Sequence, residues 1–170
     1  MIIIDDIIIR AVRSDDIDTI YKWNSQAERG DFQEFTFSSM DNLTKQLQNG
    51  ELFTETFQLL VVESPLGSPA GLVYLNFVRN GMARIGLVIN SKARSLGIGK
   101  IVTKEICRYI FDNYPIARIE ADTDIGNIAA QKVLELSGFE KEGILRKYRF
   151  HHGQYRDSVL FSMISDGHKG

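Results

Sequence analysis

The spacing of apolar residues changes period several times along the chain, and each change marks an element. Residues 7–13 are β-branched and apolar and predict a strand. Ser14-Asp15-Asp16 then predicts a helix start, because a serine caps free N–H groups and acids favour the positive end of the helix dipole. Ile17, Ile20 and Tyr21 supply the buried face of that helix. Ser39 predicts a second cap, with Leu43 and Leu47 one turn apart and Gly50 as the stop. Strands follow over residues 56–63, 70–78 and 82–89. A Pro/Gly/Ser turn at 64–69 separates the first two. Asn80-Gly81, suited to the positive φ angles of a two-residue hairpin, separates the others.

From residue 98 the period becomes helical: Ile98, Ile101, Val102, Ile106, Tyr109 and Ile110 share a face, and Tyr114-Pro115 ends the run. Residues 116–123 alternate, with Ala117, Ile119 and Ala121 on one face and Arg118, Glu120 and Asp122 on the other. A short helix over 127–137 turns Val133 and Leu134 inward and stops at Gly138. Residues 139–150 and 155–164 predict a closing hairpin around His152-Gly153-Gln154, with both histidines at an exposed tip. The order β-α-α-β-β-β-α-β-α-β-β predicts an α/β (α+β) fold, a mixed sheet of seven strands with helices packed on it. It forms one domain over 7–165, and 166–170 reads as a frayed tail.

Composition narrows the function classes. A length of 170 residues, 44% hydrophobic, supports one core. Twenty Lys+Arg against 22 Asp+Glu exclude an all-basic surface, so nucleic acid is not the expected partner. The lone Cys107 makes neither an internal disulfide nor a cysteine zinc site, and points to a reducing compartment. Three histidines, two of them adjacent, predict no metal site. No apolar run approaches the ~20 residues of a membrane helix. The N-terminus carries Asp5 and Asp6 where a signal peptide carries bases. The expectation is a soluble cytoplasmic protein with no membrane partner.

The most informative stretch is Arg94-Ser95-Leu96-Gly97-Ile98-Gly99-Lys100, between a predicted strand and a predicted helix. Glycines let a backbone approach a ligand, and the free N–H groups of a helix start favour an anion. Residues 92–104 hold four bases and no acid, against the acidic whole. A Walker loop fails, since it needs Gly at Arg94 and Ser or Thr at Ile101. A dinucleotide fingerprint fails at Val102. A tight turn with a solvated basic rim is the plain alternative.

Further motifs follow in order: Asn127-Ile128-Ala129-Ala130, Ser137-Gly138-Phe139, Glu142-Gly143-Ile144-Leu145-Arg146 and Gly153-Gln154-Tyr155-Arg156-Asp157. Together with the Gly loop they resemble the GCN5-related N-acetyltransferase (GNAT) superfamily and, within it, the RimJ/RimL-like branch. The resemblance implies a GNAT fold: a mostly antiparallel seven-stranded sheet with helices on both faces, whose fourth and fifth strands splay around acetyl-CoA. Those strands are residues 82–89 and 116–123. The pyrophosphate then sits on the backbone amides of Arg94, Ser95, Leu96, Gly97, Ile98, Gly99 and Lys100. The pantetheine arm pairs with Leu87, Val88 and Ile89 as an added strand. Asn127 touches that arm, caps its helix, or does both. Lys132 reaches a CoA phosphate or is a solvated helix residue.

The implied reaction is direct acetyl transfer from the thioester to an amine, with a backbone N–H near Val88 steadying the oxyanion. Many relatives carry a tyrosine seven residues after the asparagine as general acid; here that position is Leu134. Glu120 is a candidate base or a plain strand carboxylate. Ser137 reads as the polar last turn of its helix, and Cys107 as a buried apolar group. The acceptor site of the family lies between the first helices and the last hairpin. In that connection Glu28, Phe32, Glu34 and Phe35 are the candidate substrate contacts, and six acids against two bases over 28–55 suit a cationic amine. The alternative is a solvated loop whose phenylalanines plug the core. The expected partner is an amine acceptor, a small molecule such as a polyamine or amine-bearing antibiotic, or a protein N-terminus; a homodimer stays open. A rival reading is a non-catalytic CoA-binding or sensing module on the same fold.

Overall fold

A computed structural model describes residues 1–24, 30–34, 37–65, 67–79 and 81–165. Strands are β1 (Ile2–Ile4), β2 (Ile7–Ala11), β3 (Phe57–Glu63), β4 (Pro69–Arg79), β5 (Gly81–Ile89), β6 (Ile116–Asp124), β7 (Glu140–His151) and β8 (Gln154–Ile164). Helices are α1 (Ile17–Trp23), α2 (Met40–Gln48), α3 (Ile98–Asn113) and α4 (Ile128–Leu136). The eight strands form one sheet in the order β1-β2-β3-β4-β5-β6-β8-β7. Every neighbouring pair is antiparallel except β5 and β6.

The eighth strand is β1, three isoleucines that turn back through Asp5 (φ 49°) to pair with β2. It is too short for a period to emerge, and it carries the sheet back to Ile2, ahead of the expected start at residue 7. The predicted cap at Ser14 is also corrected. Ser14–Asp16 is a 3₁₀ turn, and the Asp16 carboxylate accepts the Arg13 N–H at 2.7 Å. Asp16 and Glu63 both hold Arg10, a nearly fully buried guanidinium on the same face of the sheet as α1. Ser39 does cap α2, accepting from the Asn42 N–H.

Two apolar layers flank the sheet. One packs α3 and α4, through Val102, Ile106, Ile110 and Leu134, onto Val62, Leu75, Ile119 and Phe161. The other packs α1 and α2, through Ile17, Ile20, Leu43 and Leu47, onto Leu59, Val61 and Leu72. The second layer covers only the half of the sheet that ends at β4. Over β5, β6, β8 and β7 the same face carries Arg84, Glu120, Asp122, Asp124 and Arg149 instead. Helices therefore lie on both faces, and one of those faces is left half polar. No helix among the described residues is long and apolar enough to cross a membrane.

The β7–β8 hairpin closes through His152 and Gly153, both at positive φ, the geometry of a tight hairpin turn. His152 is exposed there, but His151 is buried, so the expectation of two solvated histidines holds for one. Strand alternation turns His151 to the same face as Arg149, which bonds Asp122. The tail at 166–170 and Asn80 of the predicted hairpin lie outside the described residues.

Candidate active site

The parallel pair β5–β6 is joined only at its start: Gly81 with Ile116, Met82 with Arg118, Ala83 with Ile119 and Arg84 with Glu120. Beyond Arg84, β5 keeps its other partner β4 as far as Ile89. Beyond Glu120, β6 keeps β8 as far as Asp124. The two strands therefore part, and residues 85–89 present an unpaired backbone edge. Its direction is readable. Asn90 donates to the Ala70 carbonyl at 2.9 Å, and the Val88 carbonyl lies against Gly71. The Ile89 carbonyl accepts instead from Arg94 Nε at 3.2 Å. Because backbone groups alternate along an antiparallel strand, Leu87 and Ile89 address the opening and Val88 addresses β4. The main-chain groups nearest Val88 on the open side are therefore those of Leu87 and Ile89.

Side chains on β5 alternate the other way. Ile85, Leu87 and Ile89 pack into the layer beneath α3, so Arg84, Gly86 and Val88 face the polar half of the sheet. A Cβ at Gly99 would touch Leu87, Ile89 and Val133 at ordinary distances of 3.8 Å, which places the first turn of α3 directly over the open strand.

The loop into α3 has Ser95 at φ 64° and Gly97 at φ 76°. Left-handed residues among extended and helical ones turn successive N–H groups toward one concave side, which suits an anion. Gly97 is the N-cap residue and offers no side-chain bond to the helix. The Arg94 N–H bonds the Ser91 carbonyl at 3.4 Å, and among the described residues the next main-chain N–H of this stretch with a main-chain acceptor outside the helix is that of Ile101, bonded to Gly97. Arg94, Ser95, Leu96, Gly97 and Lys100 are exposed around it, while Ile98 is buried. The residues present fit a diphosphate: main-chain donors, a helix start and basic neighbours.

The polar face beside the opening is a ladder of ion pairs. Glu120 accepts from Arg84 at 3.0 Å and from Arg118 at 2.8 Å. Arg149 meets Asp122 at 2.6 Å, and Arg156 meets Asp124 at 2.5 Å. Arg118 also reaches Glu142 at 2.8 Å. Burial alone would raise the Glu120 pKa, but the Arg118 and Arg84 guanidinium groups outweigh it and hold the carboxyl below its ordinary range. Asp124 is likewise held low, chiefly by Arg156.

Sequence reasoning missed Arg84 and Tyr148. Arg84 Nη1 donates to the Tyr148 hydroxyl at 2.9 Å, across 64 residues of sequence. Tyr148 belongs to a bulge in β7, where the register slips between Leu145 and Arg149. Lys147 adopts φ 50° there, and its N–H donates to Asp157 at 2.8 Å. A positive φ on a lysine is no sequence signal, so nothing local announces the bulge.

Of the expected substrate contacts, Glu28 and Phe35 lie outside the described residues. Phe32 approaches Gly126, and Glu34 accepts from the Phe150 N–H at 3.1 Å. A Cβ on Gly30 would lie 3.5 Å from Arg94. The described part of this segment thus runs from the Gly loop past the start of α4 to the last hairpin, bordering the opening. Phe37 is 93% exposed and plugs no core.

A family model described as "Acetyltransferase (GNAT) domain" matches residues 6–140. The chain belongs to the GNAT acetyltransferases. An uncharacterized N-acetyltransferase p20 of Bacillus licheniformis is 30% identical over 91 residues, 54% of this chain and 51% of that protein. The chain spans about half the length of the curated relatives it matches. Among solved structures, ribosomal-protein-S5-alanine acetyltransferase from Vibrio fischeri superposes with a TM-score of 0.87 at 23% identity, covering 99% of this chain and 98% of that one. Spermidine N-acetyltransferase from Vibrio cholerae, solved with CoA and spermine, gives 0.83 at 21%, covering 95% and 96%.

The remaining GNAT positions sort by their contacts. Asn127 caps α4 through its side-chain oxygen, bonded to the Ala130 N–H at 3.1 Å. Lys132 is exposed on α4. Leu134, where many GNAT members carry tyrosine, is buried in the apolar layer. Ser137 donates to the Val133 carbonyl at 2.7 Å, a last-turn role. Burial pushes the Cys107 thiol up to about 12, so it is no nucleophile at neutral pH.

Proposed function

We propose that this GNAT protein transfers the acetyl group of acetyl-CoA directly to a primary amine. The observation that carries the reading is the parting of β5 and β6 beyond Arg84 and Glu120, with the Gly97 loop at its open end. The amides of 95–100 and the start of α3 would hold the diphosphate, with the Arg94 N–H kept by the Ser91 carbonyl. The edge at Leu87 and Ile89 would pair with the pantetheine arm as an added strand, and a main-chain N–H of that edge would face the oxyanion. Asn127 and Lys132 stand beside the same path. Holding amine and thioester together supplies much of the acceleration through proximity.

The acceptor reading best supported is a small molecule or a protein N-terminus that presents one amine. The carboxylates on the polar face, Glu120, Asp122 and Asp124, are each paired with arginine. That pairing offsets the acidity of the 28–55 segment and weakens the case for a polycation. Phe32 and Glu34 border the entrance and would contact the acceptor. Glu120, held ionised by two guanidinium groups, is a weak proton acceptor, and its role is to fix Arg84. A protein acting in the reducing interior of the cell, with no metal, is consistent with this chemistry.

The test is an acceptor screen with purified protein and acetyl-CoA, covering amino acids, peptides, polyamines and aminoglycosides, with CoA release as the readout. Turnover on monoamines or peptide N-termini supports the reading. Leu134 in the core favours a second reading, a CoA-binding sensor, which would bind acetyl-CoA by calorimetry and turn over none of the panel.

A further inference from the structure

We propose that Tyr148 is the proton donor to the leaving thiolate, in place of the tyrosine that Leu134 displaces. This inference rests on the acetyltransferase reading. The argument is one of placement. Arg84 is the last β5 residue paired with β6, so it marks the vertex of the opening. It lies on the same face as Gly86 and Val88, above the unpaired edge. Gly86 carries no side chain, and Tyr74 of the neighbouring strand packs beside it on that face. The Tyr148 hydroxyl is brought to this vertex by its 2.9 Å bond from Arg84. Tyr148 as a whole is 45% exposed.

Two devices fix it there. Glu120 accepts from Arg84 Nε and from Arg118, so the guanidinium that meets Tyr148 is itself clamped. Asp157 accepts the Lys147 N–H and holds the bulge that aims Tyr148 inward. The Arg84 contact occupies an acceptor lone pair of the phenol and leaves its O–H free to donate. In the step itself the neutral amine nitrogen bonds to the thioester carbon and the carbon–sulfur bond breaks. The Tyr148 proton moves to sulfur, and the phenolate recovers one from the new amide nitrogen directly or through water. Tyr148 is the catalytic residue; Arg84 and Asp157 are positioning residues.

The test is Tyr148→Phe in the full chain, which removes one hydroxyl from a half-exposed ring and leaves folding intact. Expected are a fall in kcat of about 10²-fold and an unchanged calorimetric Kd for acetyl-CoA. A readout independent of turnover is the ultraviolet titration of the CoA thiol in the binary complex. A phenol bonded to sulfur stabilises the thiolate, so Tyr148→Phe should shift that titration to higher pH. Unchanged kcat and titration overturn the proposal. So does a lowered kcat with an unmoved titration, which marks a purely structural tyrosine. If the wild-type protein neither binds nor turns over acetyl-CoA, it is the acetyltransferase reading that fails.

Discussion

Gly97 and Gly99 stand two residues apart in the loop that would hold a diphosphate, yet they answer to different demands. Gly97 has φ 76° with nothing within 4 Å of where a Cβ would stand, so its constraint is conformational. An L-residue in the left-handed region costs roughly 1–2 kcal/mol. Gly97→Ala is therefore expected to lower stability by about that amount in urea titrations, and Gly97→Glu to abolish acetyl-CoA binding by placing an acid in an anion site. Unchanged calorimetric affinity for Gly97→Glu would reject the loop. Gly99 lies inside α3 with ordinary room for a methyl, so Gly99→Ala should fold at wild-type stability or slightly above, since Gly in a helix costs about 0.5–1 kcal/mol relative to Ala. Arg10 is a residue of another kind, a buried cation between Asp16 and Glu63. Truncating it to Ala strands two carboxylates, and breaking a buried pair costs about 3–5 kcal/mol; chemical denaturation measures it.

At the scale of elements, β4 and β5 carry the site, and Gly71 sets their distance. A Cβ there would lie 2.5 Å from the Val88 carbonyl oxygen, closer than any real contact. Gly71→Ala must push β5 sideways at the stretch that would bind pantetheine. The expected result is at least a tenfold rise in the acetyl-CoA Kd, read by calorimetry, together with a lower melting temperature; wild-type affinity would show that this edge is not used. Much of this scale was legible in sequence. The β5–β6 opening was implied by the GNAT resemblance that the motifs carry, α3 followed from its apolar period, and the last hairpin from His152-Gly153. What escaped was set by partners distant in sequence. Burial of His151 depends on which face of β7 is covered. The Tyr148 contact depends on a bulge held by Asp157 and on Arg84, 64 residues away. The short β1 gains its strand character only by pairing with β2.

At the scale of the whole molecule, carboxylates paired with arginine on both halves of the sheet are ionised in the fold, and this sets an acid limit. Asp16, Glu120 and Asp124 all have pKa values below their ordinary range. In Asp16 and Glu120 burial pushes upward, but arginine bonds prevail; in Asp124 the Arg156 bond is itself the largest influence. A carboxyl with a lower pKa folded than unfolded binds fewer protons in the native state, so stability rises with pH across that window. The contribution is complete above the unfolded carboxylate range, about 3.9–4.3, and drains away as pH falls through the lower folded values. Thermal midpoints should therefore be nearly flat from neutrality to about pH 5 and fall steeply below about pH 4. Arg156→Met isolates one member of the set. It leaves the Asp124 side chain, 2% exposed, without its cation. Burial then acts against the charged form, and the acid limb of the melting curve should move to higher pH than in the wild-type protein. The Asp124–Arg156 pair also sits against Gly126, close to Phe32, so the same variant should weaken acceptor KM more than acetyl-CoA affinity. Coincident acid limbs for variant and wild type would show that the Asp124–Arg156 pair contributes no pH-dependent stability.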